Sequence, residues 1–350
     1  MTLRAVAPFV CTALALAVGG CAETSAPLPP ADEVLVVVNS TEASLSVVPV
    51  ESPSGTAPAP LGGTTPTPVG VATHDGIAIV PLGLDNSAAV VDLEARQVVL
   101  TVFLPAGSGA TGVAIVDDSI AYVGNPNLNS VTRINYRSGD TASVAVGVYP
   151  QGMIFTRGKL FVLNGNLVQF APAGESWITV IDPVTNAKAS GIDSIPLPGP
   201  GNAGFADVAS DGLIYVMSSG DFASGEGRLS IVDPVDRVEI ANFGGFGTGP
   251  GAIAADGGER LFVSSFTEGL MEFNTRTRTV VRGAGNGVSI PGNSAVEVDS
   301  KGRIYAISTG PCQGGQPGVA HVLRANLSEA SAINLGECAI FAAVTSIPPE

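Results

Sequence analysis

Residues 208–234 read VASDGLIYVMSSGDFASGEGRLSIVDP, and this stretch decides the fold. Asp211-Gly212 is a turn signal, and 213–217 is an apolar β run. A Gly/Ser-rich loop follows, then a second run at 228–232 that ends in Asp233-Pro234. Asp-Gly and Asp-Pro pairs bend the chain, so the unit reads strand, tight turn, strand, variable loop, strand, turn.

The same unit recurs outward in both directions. With its strands labelled A to D in order, residues 68–73 (PVGVAT), 77–80, 87–93 and 98–103 form one complete copy. Residues 109–115 (GATGVAI), 120–125 (IAYVGN), 130–136 and 141–146 form the next, and 149–155, 159–164 (KLFVLN), 177–183 and a D strand near 191–196 another. Beyond the opening stretch come 250–255, 260–266, 270–275 and 278–282, then 293–298, 303–308, 319–325 and 330–335. The first copy has only B (34–38, VLVVV) and C (44–50), whereas 338–346 (CAIFAAVTS) is an A strand left over at the far end.

B strands begin at Val34, Ile77, Ile120, Leu160, Leu213, Leu261 and Ile304, so the spacings are 43, 43, 40, 53, 48 and 43. That is the period of a four-stranded propeller blade. The expected fold is therefore all-β, a seven-bladed β-propeller of four-stranded antiparallel blades. The C-terminal strand would complete the N-terminal blade and close the ring. A sandwich or solenoid is the alternative, and the displaced last strand argues against it. Composition agrees: of 350 residues, 44 are Gly and 26 Pro, with 45% hydrophobic and 13% charged, which favours short strands over helices.

The B strands IYVMSSG, AYVGNPN, LFVLNGN and LFVSSF, with the hairpins WITVIDPVTNAK and LSIVDPVDRVEI, resemble the Tyr-Val-Thr-Asn (YVTN) repeat of bacterial and archaeal extracytoplasmic propellers. The match runs over residues 33–346 and is strongest in the third to sixth units. It implies a fold and a cellular address, and says little about activity, since such propellers host many functions.

Arg4 and the apolar run 5–18 form a leader too short to span a membrane. It ends in Val18-Gly19-Gly20-Cys21, which resembles the lipobox of bacterial lipoproteins. The resemblance implies a signal peptide over 1–20, a lipid on Cys21, a Pro-rich tether over 21–32 and a propeller over 33–350. The address is then the bacterial cell envelope, on the periplasmic leaflet of the outer membrane or the cell surface. A secretory signal cut near Ala22 is the alternative. Cys11 leaves with the leader, so Cys312 and Cys338 remain as an even pair in an oxidising compartment, where a disulfide is expected. Loss of Arg4 leaves 15 basic against 31 acidic residues, a net charge of −16. So acidic a chain repels phosphate backbones and anionic head groups, which excludes nucleic acid as a partner and limits membrane contact to the lipid anchor.

Chain direction alternates within a blade, so B–C loops and D–A connections share one face while A–B and C–D turns share the other. The second face is made of tight turns (HDG, DDS, SDG, DSKG). The first holds the long loops 164–176, 218–227 and 309–318 with the connections 195–202, 244–251 and 283–293. Long loops on a rigid scaffold are where binding resides. Candidates on that face are Asn125, Asn127, Asn129, Asn164, Asn166, Phe170, Asp221, Phe222, Glu226, Phe246 and Phe266. Gln151, Asn202 and Asn293 are expected at the mouth of the central channel. Cys312 and Cys338 fall on the same face at the ring's closing seam.

No catalytic set emerges. His74 lies in a tight turn and His321 inside a C strand, which disfavours a Ser-His-Asp site or a multi-histidine metal centre. Asp75, Asp211 and Asp256 each precede Gly without forming a calcium loop, so hairpin turns account for them. The chain thus reads as a binding or scaffold propeller for an envelope protein, peptide or glycan, without a cofactor. The alternative is a lactonase- or lyase-like enzyme with a divalent metal at the channel mouth, held by Asn164, Asn202, Asp221 and Asn293.

Overall fold

The computed structural model describes residues 32–52, 58–63, 65 and 67–348, so the leader, Cys21 and most of the tether lie outside the described residues. Seven antiparallel sheets form the ring. Blade 1 is Ala339–Ile347, Asp32–Asn39, Ser44–Pro49 and Ala59–Pro60, and the last strand of the chain pairs in register from Asp32↔Ile347 to Val38↔Phe341. The first unit therefore receives its missing A strand from the C-terminus. Inner strands of the other blades are Ala72–His74, Thr111–Ile115, Pro150–Thr156, Ala203–Val208, Pro250–Ala255 and Asn293–Val298.

Blade 4 departs from the pattern. Its D strand is split into Ala187–Lys188 and Ser194–Leu197, both paired with Ser176–Asp182. Its B–C loop carries a small hairpin of its own, Leu167–Val168 with Ala171–Pro172. These two insertions explain the longest repeat spacing.

The core is a ring of seams, one between each pair of neighbouring blades. Leu35 and Val37 pack against Tyr305, Ile307 and Ala320 of blade 7, while Val36 and Val38 pack against Ala78, Val80 and Ala89 of blade 2. Successive side chains of a strand point to opposite sheet faces, and in a propeller each face meets another blade. That is why B strands are continuously apolar rather than alternating. Outer strands face water on one side and alternate, as in Val238–Phe243.

Tight turns follow one chemical rule. Asp92, Asn135, Asp182, Asp233 and Asn274 end C strands, and each side-chain oxygen accepts backbone N–H groups two or three residues on. Four residues after each of them the backbone turns left-handed, at Arg96, Gly139, Asn186, Arg237 and Arg278. This is a type I turn closed by a left-handed residue, which fixes hairpin register. On the A–B side, Asp211, Asp256 and Asp299 accept backbone N–H groups in the same manner.

Candidate functional site

The inner strands approach too closely for side chains at several points. A Cβ on Gly112 would sit 2.2 Å from Gln151 O, and one on Gly152 would sit 2.1 Å from Gly204 O. Glycine there lets neighbouring blades close around a narrow channel. A cavity of about 250 Å³ occupies it, lined by inner-strand residues of all seven blades, among them Val71, Thr111, Met153, Ala206, Ile253, Glu297 and Ala342.

On the long-loop face the channel opens into a mouth of about 460 Å³, walled by Phe205, Phe222, Phe266, Ile340 and Phe341 with Gln151, Asn202, Ser219, Asn293 and Ser294. All three residues expected at the mouth are in this wall, joined by two of the expected aromatic tips. Gln151, Gly204, Phe205 and Phe341 line both cavities, so the mouth leads into the channel. A shallower groove of about 650 Å³ leaves past Phe266 over residues 284–292.

The mouth amides are oriented by protein partners. Gln151 Nε2 donates to Asn202 Oδ1 (2.6 Å) and to Ala203 O, and Asn202 Nδ2 donates to Gly220 O. Asn293 Nδ2 donates to Gly269 O (3.1 Å), while its Oδ1 is buried without a donor. Phe222 is 59% exposed and held at φ +60°, a conformation bulky residues rarely adopt.

Other candidates have structural roles. Asn164 is buried: its Nδ2 bonds Trp177 O and Thr179 Oγ1, and its Oδ1 accepts from Gly147 N in the preceding D–A connection. Asn39 uses the same geometry with Ser44, Ser46 and Gly336 N. Asn125, also buried, bonds Ser130 and Thr132. The Asn that ends a B strand thus ties that strand to its C neighbour, in blade 4 also to the preceding connection and in blade 1 to Gly336 near the end of strand Glu329–Glu337. Asn129 and Asn166 take left-handed turn positions, and Asn127 is exposed beside Gly109. Phe170 is 78% exposed and edge-on to Tyr149, away from the mouth wall. Glu226 lines a separate shallow pocket with Arg228. Asp221 is at an exposed loop tip and accepts from Ser224 Oγ and from the N–H groups of Ser224 and Ala223, which lowers its carboxyl to about 2.

Phe246 corrects the expectation of an apolar tip. It is fully buried among Tyr215, Leu229 and Phe273, because the glycine-rich connection folds it back into the seam between blades 5 and 6. Cys312 and Cys338 are joined as a disulfide, with Cα atoms 4.3 Å apart, where blade 7 meets the closing strand.

Two carboxyls in the inner strands escaped the sequence reading. Glu297 lines the channel, and among the described residues its carboxyl has no hydrogen-bond partner. Burial pushes its carboxyl well above the usual range, and the charge of Asp207 acts in the same direction. Part of its surface is open to the channel and protein surrounds the rest. Asp207 is also raised by burial, although Val208 N and Ala255 N donate to it. The signal was present: corresponding inner-strand positions in other blades are Ala114, Ile154 and Ala254.

On the tight-turn face, His74 Nε2 lies 2.8 Å from Asp118 Oδ1 and 3.6 Å from Asp75 Oδ2, an exposed trio that bridges blades 2 and 3. Of the four ligands named for a metal at the mouth, only Asn202 and Asn293 are in its wall.

Ring, seams and closing strand define a seven-bladed β-propeller with one open, aromatic-walled mouth. Among solved structures it is similar to a chain of Kuenenia stuttgartiensis hydrazine synthase, with a TM-score of 0.64 at 14% identity over 88% of this chain and 99% of that one. At that identity the likeness concerns the fold alone. No protein-family model and no curated protein matches the sequence.

Proposed function

We propose that this chain is an envelope-anchored binding propeller that recognises a protein, peptide or glycan through its long-loop face, with the mouth as principal contact. The observation that carries this reading is the convergence of exposed Phe222 and Phe266 with Gln151, Asn202 and Asn293 on a ring fixed by seven seams. Exposed aromatic rings beside oriented amides on a rigid frame are what recognition surfaces use. The groove beside Phe266 gives room for a ligand longer than the mouth alone.

The lipobox and the YVTN resemblance support the address, and topology supplies an orientation. Asp32 begins a B strand and therefore enters the ring on the tight-turn face. A tether from Cys21 to Val34 spans at most roughly 45 Å, so a lipid on Cys21 would hold that face toward the membrane and the mouth away from it. The test is retention of envelope components on the immobilised domain, residues 33–350. Replacing the 165–176 and 218–227 loops by short turns should abolish it, and retention that survives replacement sinks the reading. Cys21→Ala should release the full-length protein from the membrane fraction.

A metal-dependent hydrolase or lyase is the second reading, favoured by one observation: Glu297 is an inward carboxylate without a partner. Metal analysis of the purified protein separates the two, since a stoichiometric divalent ion lost in Glu297→Gln would support the enzyme.

A further inference from the structure

The mouth has an unusual balance of hydrogen-bonding groups. Each of its side-chain donors already has a protein acceptor: Gln151 Nε2 bonds Asn202, Asn202 Nδ2 bonds Gly220 O, and Asn293 Nδ2 bonds Gly269 O. Ser219 Oγ donates to Pro250 O, and Ser294 Oγ to Ala339 O. Flipping any of these amides would set oxygen against oxygen, so their orientations are fixed by the network. Among the described residues no donor reaches the amide oxygens Gln151 Oε1 and Asn293 Oδ1, and the hydroxyl oxygens of Ser219 and Ser294 donate without accepting, so the wall's spare capacity is all acceptor. Asn293 is 1% exposed, so its orphan acceptor is a desolvated group awaiting a donor.

Charge and surface point the same way. Among the described residues neither the mouth nor the channel is lined by Lys, Arg or His, Glu297 lies further down the channel, and the whole chain carries −15. Four phenylalanine rings complete the wall, and their faces attract cations.

We propose that the mouth binds an alkylammonium group, a protonated primary amine on an apolar stem. Its N–H groups meet Gln151 Oε1 and draw Asn293 Oδ1, which is closed to solvent in the free protein, into contact, and its charge lies against the phenylalanine faces. A carboxylate finds no counter-charge here. A neutral ligand of the same shape forfeits the cation–π attraction, and a quaternary ammonium lacks the N–H groups. The chemistry is shared by a free amine and by a lysine side chain of a peptide partner. The proposal rests on the long-loop face being the binding surface and adds the class of group it selects.

Calorimetric titration of the domain, residues 33–350, with four probes of one stem tests it: hexylammonium, hexyltrimethylammonium, 1-hexanol and hexanoate. Hexylammonium should bind about 10-fold more tightly than hexanol or the quaternary salt, and hexanoate not detectably. Asn293→Leu should cost hexylammonium about 10-fold. Phe222→Leu, a change at a side chain 59% exposed whose folding is checked by its unfolding midpoint, should weaken hexylammonium about threefold and hexanol by less. Equal binding of hexanol or of the quaternary salt overturns the proposal, as does tighter binding of hexanoate or indifference to Phe222→Leu. Nα-acetyl-lysine methylamide against 1,5-diaminopentane then separates a peptide side chain from a free diamine as the source. If no amine binds while the loop replacements still abolish partner retention, the ammonium assignment falls and the binding face stands. If amines bind as described while retention survives those replacements, the reverse holds.

Discussion

The two faces of the ring use the same residue types for opposite ends. On the tight-turn face nearly every Asp or Asn that begins a turn is committed to backbone N–H groups, as Asp92, Asp233 and Asp299 are. On the long-loop face the mouth amides brace one another and leave carbonyl oxygens over. The lesson is that recurrent turn carboxylates and amides are spent on structure, whereas spare acceptors are found on the long-loop face, at Asn293 of the mouth and at the strand end Asn125. Each prediction below sets a residue of one face against the other or against the channel between them.

The largest effect is expected at Asp299. Its fully buried carboxylate accepts from Lys301 N, Arg303 N, Arg303 Nε (2.5 Å) and Tyr305 OH (2.9 Å). Asp299→Ala strands a guanidinium and a buried hydroxyl together and should cost about 3–5 kcal/mol in denaturant unfolding. Asp221→Ala, the same kind of turn at an exposed tip of the long-loop face, should leave the denaturant midpoint where it is in the parent. Equal costs would erase the contrast between the faces.

Next is the closing seam. The Cys312–Cys338 bond links positions 26 apart in sequence, so the double serine variant should lose about 3 kcal/mol. Hydrogen exchange should rise first along Ala339–Ile347, the strand that completes blade 1. Uniform exchange across all blades would show that the seam is not the weak point.

Much of this was legible in the chain, for a physical reason. A fold built from one repeated unit displays its period in the sequence, so strand order, turns and closing strand follow from residue spacing, and the disulfide from an even cysteine pair that the repeat puts on one face. Single residues were harder where local surroundings mislead. Phe246 stands among glycines as a loop tip would, yet tertiary packing draws it into a seam. Asn125 and Asn164 look like loop amides and are buried braces, because the end of a B strand is interior in a propeller. Glu297 was missed because alternation distinguishes core from solvent but has no third category for a channel, and Asp207 because its strand position is core in other blades while its buried carboxylate is met by backbone N–H groups.

Glu297 gives the third prediction. Its native carboxyl is held above its unfolded value, so the folded state binds the proton more tightly. Stability is therefore undiminished below the ordinary carboxylate range and falls as pH rises from there toward the raised native value. Glu297→Gln should match the parent near pH 4 and exceed it at pH 7 by a few degrees of Tm, where 1 kcal/mol is worth about 2–4 °C for domains somewhat smaller than this one. A parent that gains on the variant with rising pH would mean the carboxylate has a partner when ionised.

The smallest effect separates stability from function at one residue. Phe222 is exposed and left-handed at φ +60°, so it makes little core contact and carries backbone strain. A non-glycine residue in that region costs about 1–2 kcal/mol, and glycine removes the penalty. Glycine also widens the unfolded ensemble by about 0.5–1 kcal/mol, so the net gain for Phe222→Gly should be only a few tenths to about 1 kcal/mol. The same change deletes an aromatic wall of the mouth and should weaken any ligand bound there. Stability unchanged or raised, with binding reduced, identifies a side chain held in a costly conformation for the sake of the mouth. Loss of stability together with binding would instead place Phe222 among the structural residues, with Asn164 and Phe246.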